Sequence, residues 1–161
     1  MIYEPRDDSR MLEKQVRIFA TGRVLDMGTG CGIQALAALE KTSDVEVCDI
    51  NEEAIKFVKS KGVKAYKSDL FENVKGKFDL IIFNPPYLPL DKDEDEESRV
   101  ITTGGENGYE IIERFLKEAK NYLNANGIIL LVFSSLSGDV NKILEHNGYC
   151  YENLDEKKVF F

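Results

Sequence analysis

Short apolar segments alternate with amphipathic segments of helical periodicity along most of the chain, and this alternation limits the fold more than any other feature. The apolar segments are nearly continuous runs, as in 78–83, and such runs are typical of strands buried on both faces of a parallel sheet. The pattern predicts an α/β fold with a mostly parallel sheet and helices on both faces. The 161 residues suit a single domain spanning 1–161.

The bounds of the elements follow from periodicity, helix-forming residues and turn signals. Predicted strands cover 23–27, 45–48, 63–66, 78–83 and 128–133. Predicted helices cover 8–20, 33–41, 51–59, 109–123 and 140–146, with Asp7 or Asp8 as the N-cap of the first and Asn51 as the N-cap of the third. We interpret 149–161 as an antiparallel hairpin. The whole set predicts a seven-stranded, Rossmann-like sheet.

The charge of the chain is acidic and is concentrated in one short segment. There are 21 basic and 29 acidic residues, for a formal net charge of −8, and 91–97 contains six acids and one base. A net negative protein repels the phosphate backbone, which argues against a general nucleic-acid binder. We interpret 88–103 either as a solvated, mobile lid or as a gate that meets a basic substrate surface.

The composition also argues against several kinds of chemistry. The cysteines at 31, 48 and 150 form no Cys-x-x-Cys pair, and His146 is the single histidine. This set supports neither a disulfide framework nor a metal site, and histidine-based catalysis would depend on one residue. No apolar run approaches the roughly 20 residues of a membrane helix, and the N-terminus has no signal core, so we expect a cytoplasmic protein.

A glycine-rich loop, Asp26-Met27-Gly28-Thr29-Gly30-Cys31-Gly32, follows the first predicted strand. Its spacing is neither the dinucleotide fingerprint nor a Walker loop. The carboxylate of Asp26 would repel a pyrophosphate but suits a cationic ligand such as S-adenosylmethionine. Asp49, at the end of the second strand, can accept both hydrogen bonds from a ribose diol. The competing interpretation is an ordinary strand–turn–helix with structural glycines, in which Asp49 only caps a helix.

The tetrapeptide Asn84-Pro85-Pro86-Tyr87 ends the fourth predicted strand. The prolines stop the strand and stiffen the loop. The side-chain oxygen of Asn84 and the carbonyl of Pro85 could each accept one N–H of a planar NH2 group, with Tyr87 packed on its face. This geometry would aim the nitrogen at a methyl donor and needs no strong base. The competing interpretation is a proline turn that only ends a strand.

These features together resemble class I S-adenosylmethionine-dependent methyltransferases of the HemK type. The resemblance rests on the glycine loop, Asp49, the segment 68–71 (Ser-Asp-Leu-Phe) and the tetrapeptide. The opening 3–9 (Tyr-Glu-Pro-Arg-Asp-Asp-Ser) and the later Gly104-Gly105-x-x-Gly108 resemble more narrowly the archaeal and eukaryotic branch, which has no N-terminal helical domain. The family methylates the side-chain nitrogen of glutamine in the Gly-Gly-Gln motif of class I peptide-chain release factors.

The resemblance implies roles for particular residues. The implied cofactor-binding residues are Ser9, Asp26, Gly28, Gly30, Asp49, Asp69, Leu70 and Asn84. Ser9, Asp26 and Gly28 would lie near the methionine part, Asp49 at the ribose, and Asp69 with Leu70 at the adenine. The implied catalytic residues are Asn84, Pro85 and Tyr87, and the implied substrate-binding residues are Asn84, Pro85, Pro86 and Tyr87. For Asp69, a role as a loop N-cap is the alternative.

The chain departs from the family pattern at two places. Relatives often carry a tryptophan shortly before Gly104, whereas here 101–103 is Ile-Thr-Thr and the chain has no tryptophan. Relatives also often extend a few residues beyond the position of Phe161, so we expect a short sheet edge.

The resemblance implies two partners: a release factor as protein substrate and a small zinc-binding activator protein that pairs along a sheet edge. Two other functions stay open at this stage. One is an N-methyltransferase acting on a nucleic-acid base or on a protein lysine. The other is a non-catalytic binding subunit with a vestigial cofactor pocket.

Overall fold

The computed structural model describes residues 5–91 and 96–158. The helices are α1 (Asp7–Phe19), α2 (Ile33–Leu39), α3 (Glu52–Ser60), α4 (Glu96–Thr102), α5 (Glu110–Ala119) and α6 (Val140–His146). The strands are β1 (Val24–Met27), β2 (Val45–Asp49), β3 (Lys64–Lys67), β4 (Phe78–Phe83) and β5 (Leu123–Leu131). The predicted strand–helix alternation is therefore confirmed.

The strands form one parallel sheet in the order β3-β2-β1-β4-β5. The chain runs outward from β1 to β3 and then returns to place β4 on the other side of β1. Met27 consequently lies opposite Cys48 on one side and opposite Phe83 on the other. This reversal is the topological switch point, and the loops after β1, β2 and β4 meet there.

Both faces of the central strands β1, β2 and β4 are buried, as the mostly apolar strand segments predict. On one face, α1, α2 and α3 pack through residues such as Val16, Ala38 and Val58. On the other face, α5 and α6 pack through residues such as Phe115 and Leu144. From Leu80 to Phe83, successive residues of β4 alternate between the two apolar clusters, so this part of the strand has no polar face.

Two predictions about the C-terminal half are wrong. The hairpin is absent: 149–158 contains no strand, and 159–161 lies outside the described residues, so the described sheet has five strands rather than seven. Residues 150–158 are all exposed and offer no buried apolar face to a neighbouring strand. The helix predicted for 109–123 ends at Ala119, because a short 3₁₀ turn and then β5 follow it.

The acidic segment also differs from its prediction as a loop. Helix α4 occupies Glu96–Thr102, and the amide of Leu88 donates to the carbonyl of Thr102, which ties this helix to the end of the tetrapeptide loop. Most of the acid run, 92–95, lies outside the described residues.

The predicted cap of α1 is wrong as well, because the N-cap is Arg6 and no side chain caps it. In contrast, Asn51 caps α3 as predicted, by accepting from the amide of Glu53. No helix in the described ranges is long and apolar enough to cross a membrane.

Candidate active site

The glycine loop folds back over the carboxyl end of β2. The amide of Gly28 donates to the carbonyl of Cys48 at 2.8 Å, and Gly28 and Gly30 have φ of 64° and 53°. Residues with a side chain rarely adopt such backbone angles, and a Cβ at Gly28 would lie 3.4 Å from the Phe83 ring. The loop is thereby held close to the switch point with its backbone open to a ligand.

Asp49 is fixed by backbone amides on both of its oxygens. Its Oδ2 accepts from Gly30 at 3.0 Å, and its Oδ1 accepts from Asn51 at 2.8 Å. Burial raises the pKa of Asp49, and these amide hydrogen bonds oppose that increase. The carboxylate keeps lone pairs for a ligand diol, because each oxygen can accept more than one hydrogen bond.

Asp26 lies deeper, with 1% of its surface exposed. The hydroxyl of Thr29 donates to its Oδ2 at 2.6 Å. Burial raises the pKa of Asp26 to about 7, and the nearby Asp49 adds to the increase, whereas the Thr29 hydrogen bond opposes it. Asp26 and Asp49 are both buried at the base of the loop, and a cationic ligand bound there would favour their ionised forms.

The segment after β3 forms a tight turn. Leu70 has φ of 47°, and its carbonyl accepts from the Ser68 hydroxyl at 2.7 Å. The half-exposed Asp69 forms an ion pair with Arg114 of α5 at 3.1 Å. The turn thus presents a carboxylate and backbone groups together at the sheet edge, the arrangement that a planar ring with an amino group would need.

Asn84 combines a satisfied amide nitrogen with an unsatisfied oxygen. Its Nδ2 donates to Asp8 Oδ2 at 3.2 Å and lies 3.5 Å from the Ser9 hydroxyl. Its Oδ1 is buried and has no hydrogen-bond partner within the described residues. A buried polar atom without a partner costs free energy on the order of 1–3 kcal/mol. This acceptor is therefore available to a donor from a ligand.

The tetrapeptide loop is supported from behind by two glycines that the sequence singled out. A Cβ at Gly104 would lie 2.6 Å from the Pro86 carbonyl oxygen, and one at Gly108 would lie 2.8 Å from the Tyr87 carbonyl oxygen. Only a residue without a Cβ fits at either place. The Tyr87 carbonyl also accepts from the Ser137 hydroxyl at 2.6 Å. The loop is consequently fixed by contacts outside its own sequence.

One cavity joins most of the predicted site residues. Its lining includes Gly28, Gly30, Asp49, Asp69, Leu70, Asn84, Pro85, Pro86 and Tyr87. Ser9 and Asp26 are buried beneath this surface and do not line it. Their roles toward a cofactor, like the roles of the lining residues, stay predictions.

Three residues at the site were missed from the sequence. Asp8 contacts both Asn84 and Tyr87, Ser137 bonds to the Tyr87 carbonyl, and Gln34 donates to the carbonyl of Ser9 at 2.8 Å. The opening segment 3–9 gave a signal for Asp8. No local pattern distinguishes Ser137 or Gln34, because both act through distant parts of the chain.

The parallel sheet with its switch point, the glycine loop and the two buried acids define the class I methyltransferase fold. The model of the family "Methyltransferase small domain" matches residues 7–160. The chain belongs to this family and is an S-adenosylmethionine-dependent methyltransferase.

Two relatives are named as glutamine methyltransferases, which is a narrower class than the family as a whole. A Methanocaldococcus jannaschii protein with the provisional name protein N5-glutamine methyltransferase is 40% identical over 172 residues, 99% of this chain and 87% of that protein. The release factor glutamine methyltransferase of Buchnera aphidicola is 32% identical over 79% of this chain, which spans only 53% of that longer relative. The HemK-type resemblance is confirmed.

Two solved structures agree with this assignment. The Encephalitozoon cuniculi Mtq2–Trm112 complex, which its description links to methylation of the eRF1 termination factor, has a TM-score of 0.71 and 26% identity over 91% of this chain and 82% of that chain. A Bacteroides fragilis S-adenosylmethionine-dependent methyltransferase in complex with S-adenosylhomocysteine has a TM-score of 0.51 and 28% identity over 73% of this chain and 44% of that chain.

Proposed function

We propose that the chain transfers a methyl group from S-adenosylmethionine to the side-chain amide nitrogen of glutamine in the Gly-Gly-Gln motif of a class I peptide-chain release factor. The observation that carries this proposal is the buried, unpartnered Oδ1 of Asn84 at the cavity wall. A primary amide of a substrate can supply the missing hydrogen bond and, in doing so, is fixed at the switch point.

The same cavity offers groups for the cofactor on its other side. We assign Gly28 and Gly30 to the methionine part, Asp49 to the ribose diol, and Asp69 with Leu70 to the adenine. The buried Asp26 lies beneath the loop, where the positive charge of a bound cofactor favours its ionised form. S-adenosylmethionine supplies an electrophilic methyl group on a positively charged sulfur.

The chain's contribution to the reaction is orientation and charge. Asn84 Oδ1 and the Pro85 carbonyl each accept a hydrogen bond from one N–H of the glutamine amide, and Tyr87 covers the face of the amide. These two hydrogen bonds increase the electron density on the amide nitrogen and turn its lone pair toward the methyl carbon. The carbon–sulfur bond breaks as the carbon–nitrogen bond forms, and the amide nitrogen then loses one proton to water. Fixed orientation of this kind can account for several orders of magnitude in rate.

The names of the relatives support the substrate class. The Methanocaldococcus and Buchnera proteins are named as glutamine methyltransferases, and the Mtq2 complex is described as acting on eRF1. The net charge of −8 favours a basic protein surface over a nucleic acid.

The experiment is transfer of labelled methyl from S-adenosylmethionine to a purified class I release factor. We expect label on the wild-type factor and none on a factor whose Gly-Gly-Gln is changed to Gly-Gly-Ala. Label that persists on the changed factor, or that appears on a nucleic acid or a lysine peptide instead, would contradict the proposal. Cofactor binding without transfer to any of these would favour a non-catalytic subunit.

We also propose a small partner subunit of the activator class. Trm112 in the Mtq2 complex supports it, and the described sheet ends in two edge strands, β3 and β5, that a partner strand could extend. Co-expression with a small zinc-binding activator of this class should give a heterodimer with higher activity. A chain that has full activity alone and no affinity for the activator would contradict the proposal.

A further inference from the structure

Asp8 connects the start of helix α1 to the tetrapeptide loop, whose first residue, Asn84, lies 76 residues away along the chain. Its Oδ2 accepts from Asn84 Nδ2 at 3.2 Å and from the Tyr87 hydroxyl at 3.0 Å. Its Oδ1 accepts from the backbone amide of Ser9 at 2.7 Å. The two oxygens of Asp8 thus accept from different donors, and Oδ2 connects Asn84 with Tyr87.

A carboxylate in this place determines which way the Asn84 amide points. An ionised carboxylate only accepts hydrogen bonds, so it must face the NH2 of Asn84. Rotation of the amide by half a turn would bring two acceptors together, in contact and partly buried. The correct orientation leaves Asn84 Oδ1 on the opposite side, buried and without a partner in the described part of the chain.

We propose that Asp8 is a positioning residue that holds the Asn84 oxygen and the Tyr87 ring in the arrangement that receives the substrate amide. This inference rests on the proposed function, in which Asn84 Oδ1 accepts an N–H from glutamine. It assigns Asp8 no contact with the reacting atoms. Asp8 acts by excluding the flipped orientation of the Asn84 amide, in which the Asn84 NH2 would face the N–H of the substrate glutamine and no acceptor would be available.

The neighbouring Asp7 provides a matched control. It lies in the same first turn of α1 and contributes the same charge near the helix N-terminus. Its carboxylate forms an exposed ion pair with Lys157 at 2.9 Å. A role of Asp8 limited to helix stability would therefore make Asp7→Asn and Asp8→Asn similar in effect.

Asp8→Asn has a specific defect. An asparagine has one acceptor oxygen and one NH2, so it cannot accept from Ser9 on one side and from both Asn84 and Tyr87 on the other. We expect kcat for glutamine methylation to fall about 10- to 100-fold, because a small misplacement of a group that orients the substrate can cost about two orders of magnitude in rate. The affinity for S-adenosylhomocysteine should change little in comparison with kcat, because Asp49, Asp69 and Leu70, which we assign to the ribose and the adenine, are not substituted.

The test combines kinetics with a measurement that needs no substrate. In NMR spectra, the side-chain NH2 signals of Asn84, assigned by their loss in Asn84→Ala, should exchange slowly in wild type and in Asp7→Asn. They should shift and exchange faster in Asp8→Asn. If that variant fails to fold, Asp8→Ser is the second variant, because serine suits a helix N-terminus but is too short to reach Asn84.

The outcomes separate the two proposals. Altered Asn84 signals with a lower kcat and unchanged S-adenosylhomocysteine affinity support the role of Asp8. Unaltered signals in Asp8→Asn, or altered signals with an unchanged kcat, overturn it. If wild type transfers no methyl to glutamine, the proposed function fails, while the NMR signals still decide whether Asp8 orients Asn84.

Discussion

The buried carboxylate of Asp26 should make the free energy of unfolding depend on pH in a defined direction. Asp26 is 1% exposed, and burial raises its pKa from 3.8 to about 7 in the folded protein. The folded state therefore holds a proton that the unfolded chain releases. The stabilising contribution is complete below pH 3.8, decreases as pH rises, and is lost above about 7.

The size of the effect follows from the shift. A difference of about three pKa units, each equivalent to about 1.4 kcal/mol, gives about 4 kcal/mol over the whole range. Other carboxylates, such as Glu46 and Asp79, have a lowered pKa in the folded protein. Their contribution to the free energy of unfolding is present above their ordinary pKa values of 4.5 and 3.8 and is lost only at more acidic pH. Between about pH 5 and pH 8, Asp26 should account for a decrease of about 2–3 kcal/mol.

The assay is urea unfolding of the cofactor-free protein across that range, for wild type and Asp26→Asn. Asparagine has no carboxyl to titrate, and its oxygen can still accept from the Thr29 hydroxyl. We expect wild type to lose about 2–3 kcal/mol relative to the variant as the pH rises. Saturating S-adenosylmethionine should reduce the difference, because positive charge favours the ionised acid. Parallel pH curves for the two proteins would refute the reasoning.

Two further predictions concern the tetrapeptide loop. Asn84→Ala should lower methyl transfer by at least about 100-fold. The binding of S-adenosylhomocysteine, measured by calorimetry, should weaken much less. Equal losses of transfer and binding would contradict the role of Asn84 toward the substrate. Gly108→Ala should destabilise the protein by about 1–3 kcal/mol in thermal unfolding, because its φ is 88° and its Cβ would lie 2.8 Å from the Tyr87 carbonyl oxygen. The control is Gly62→Ala, with φ of 81° and open space around the Cβ, which should cost less; equal costs would show that the contact is unimportant.

Local patterns predict the central part of the fold well. Short, mostly apolar segments locate β1, β2 and β4, and Asn51 predicts the start of α3, because both signals are contained within a few adjacent residues. The hairpin prediction fails because strand pairing at 149–158 depends on burial, and these residues have almost none. Helix α4 was missed because its acidic sequence suggests a solvated loop.

The candidate site shows the same division. The predicted residues that line the cavity could be found from the sequence because they lie at or just after the ends of strands in a parallel sheet. Asp8 and Ser137 could not be assigned their contacts, because their partners are distant along the chain. Likewise, Gly108 carries a sequence signal, but only its closeness to the Tyr87 carbonyl gives the physical reason.

The central claim is that the methyl group reaches the amide nitrogen of one particular glutamine. Tandem mass spectrometry of a class I release factor, digested after incubation with the enzyme and S-adenosylmethionine, tests it most directly. The account predicts one added methyl on the side chain of the glutamine in Gly-Gly-Gln and none on the factor treated with Asn84→Ala. A methyl on lysine, on the backbone or on another glutamine would contradict it.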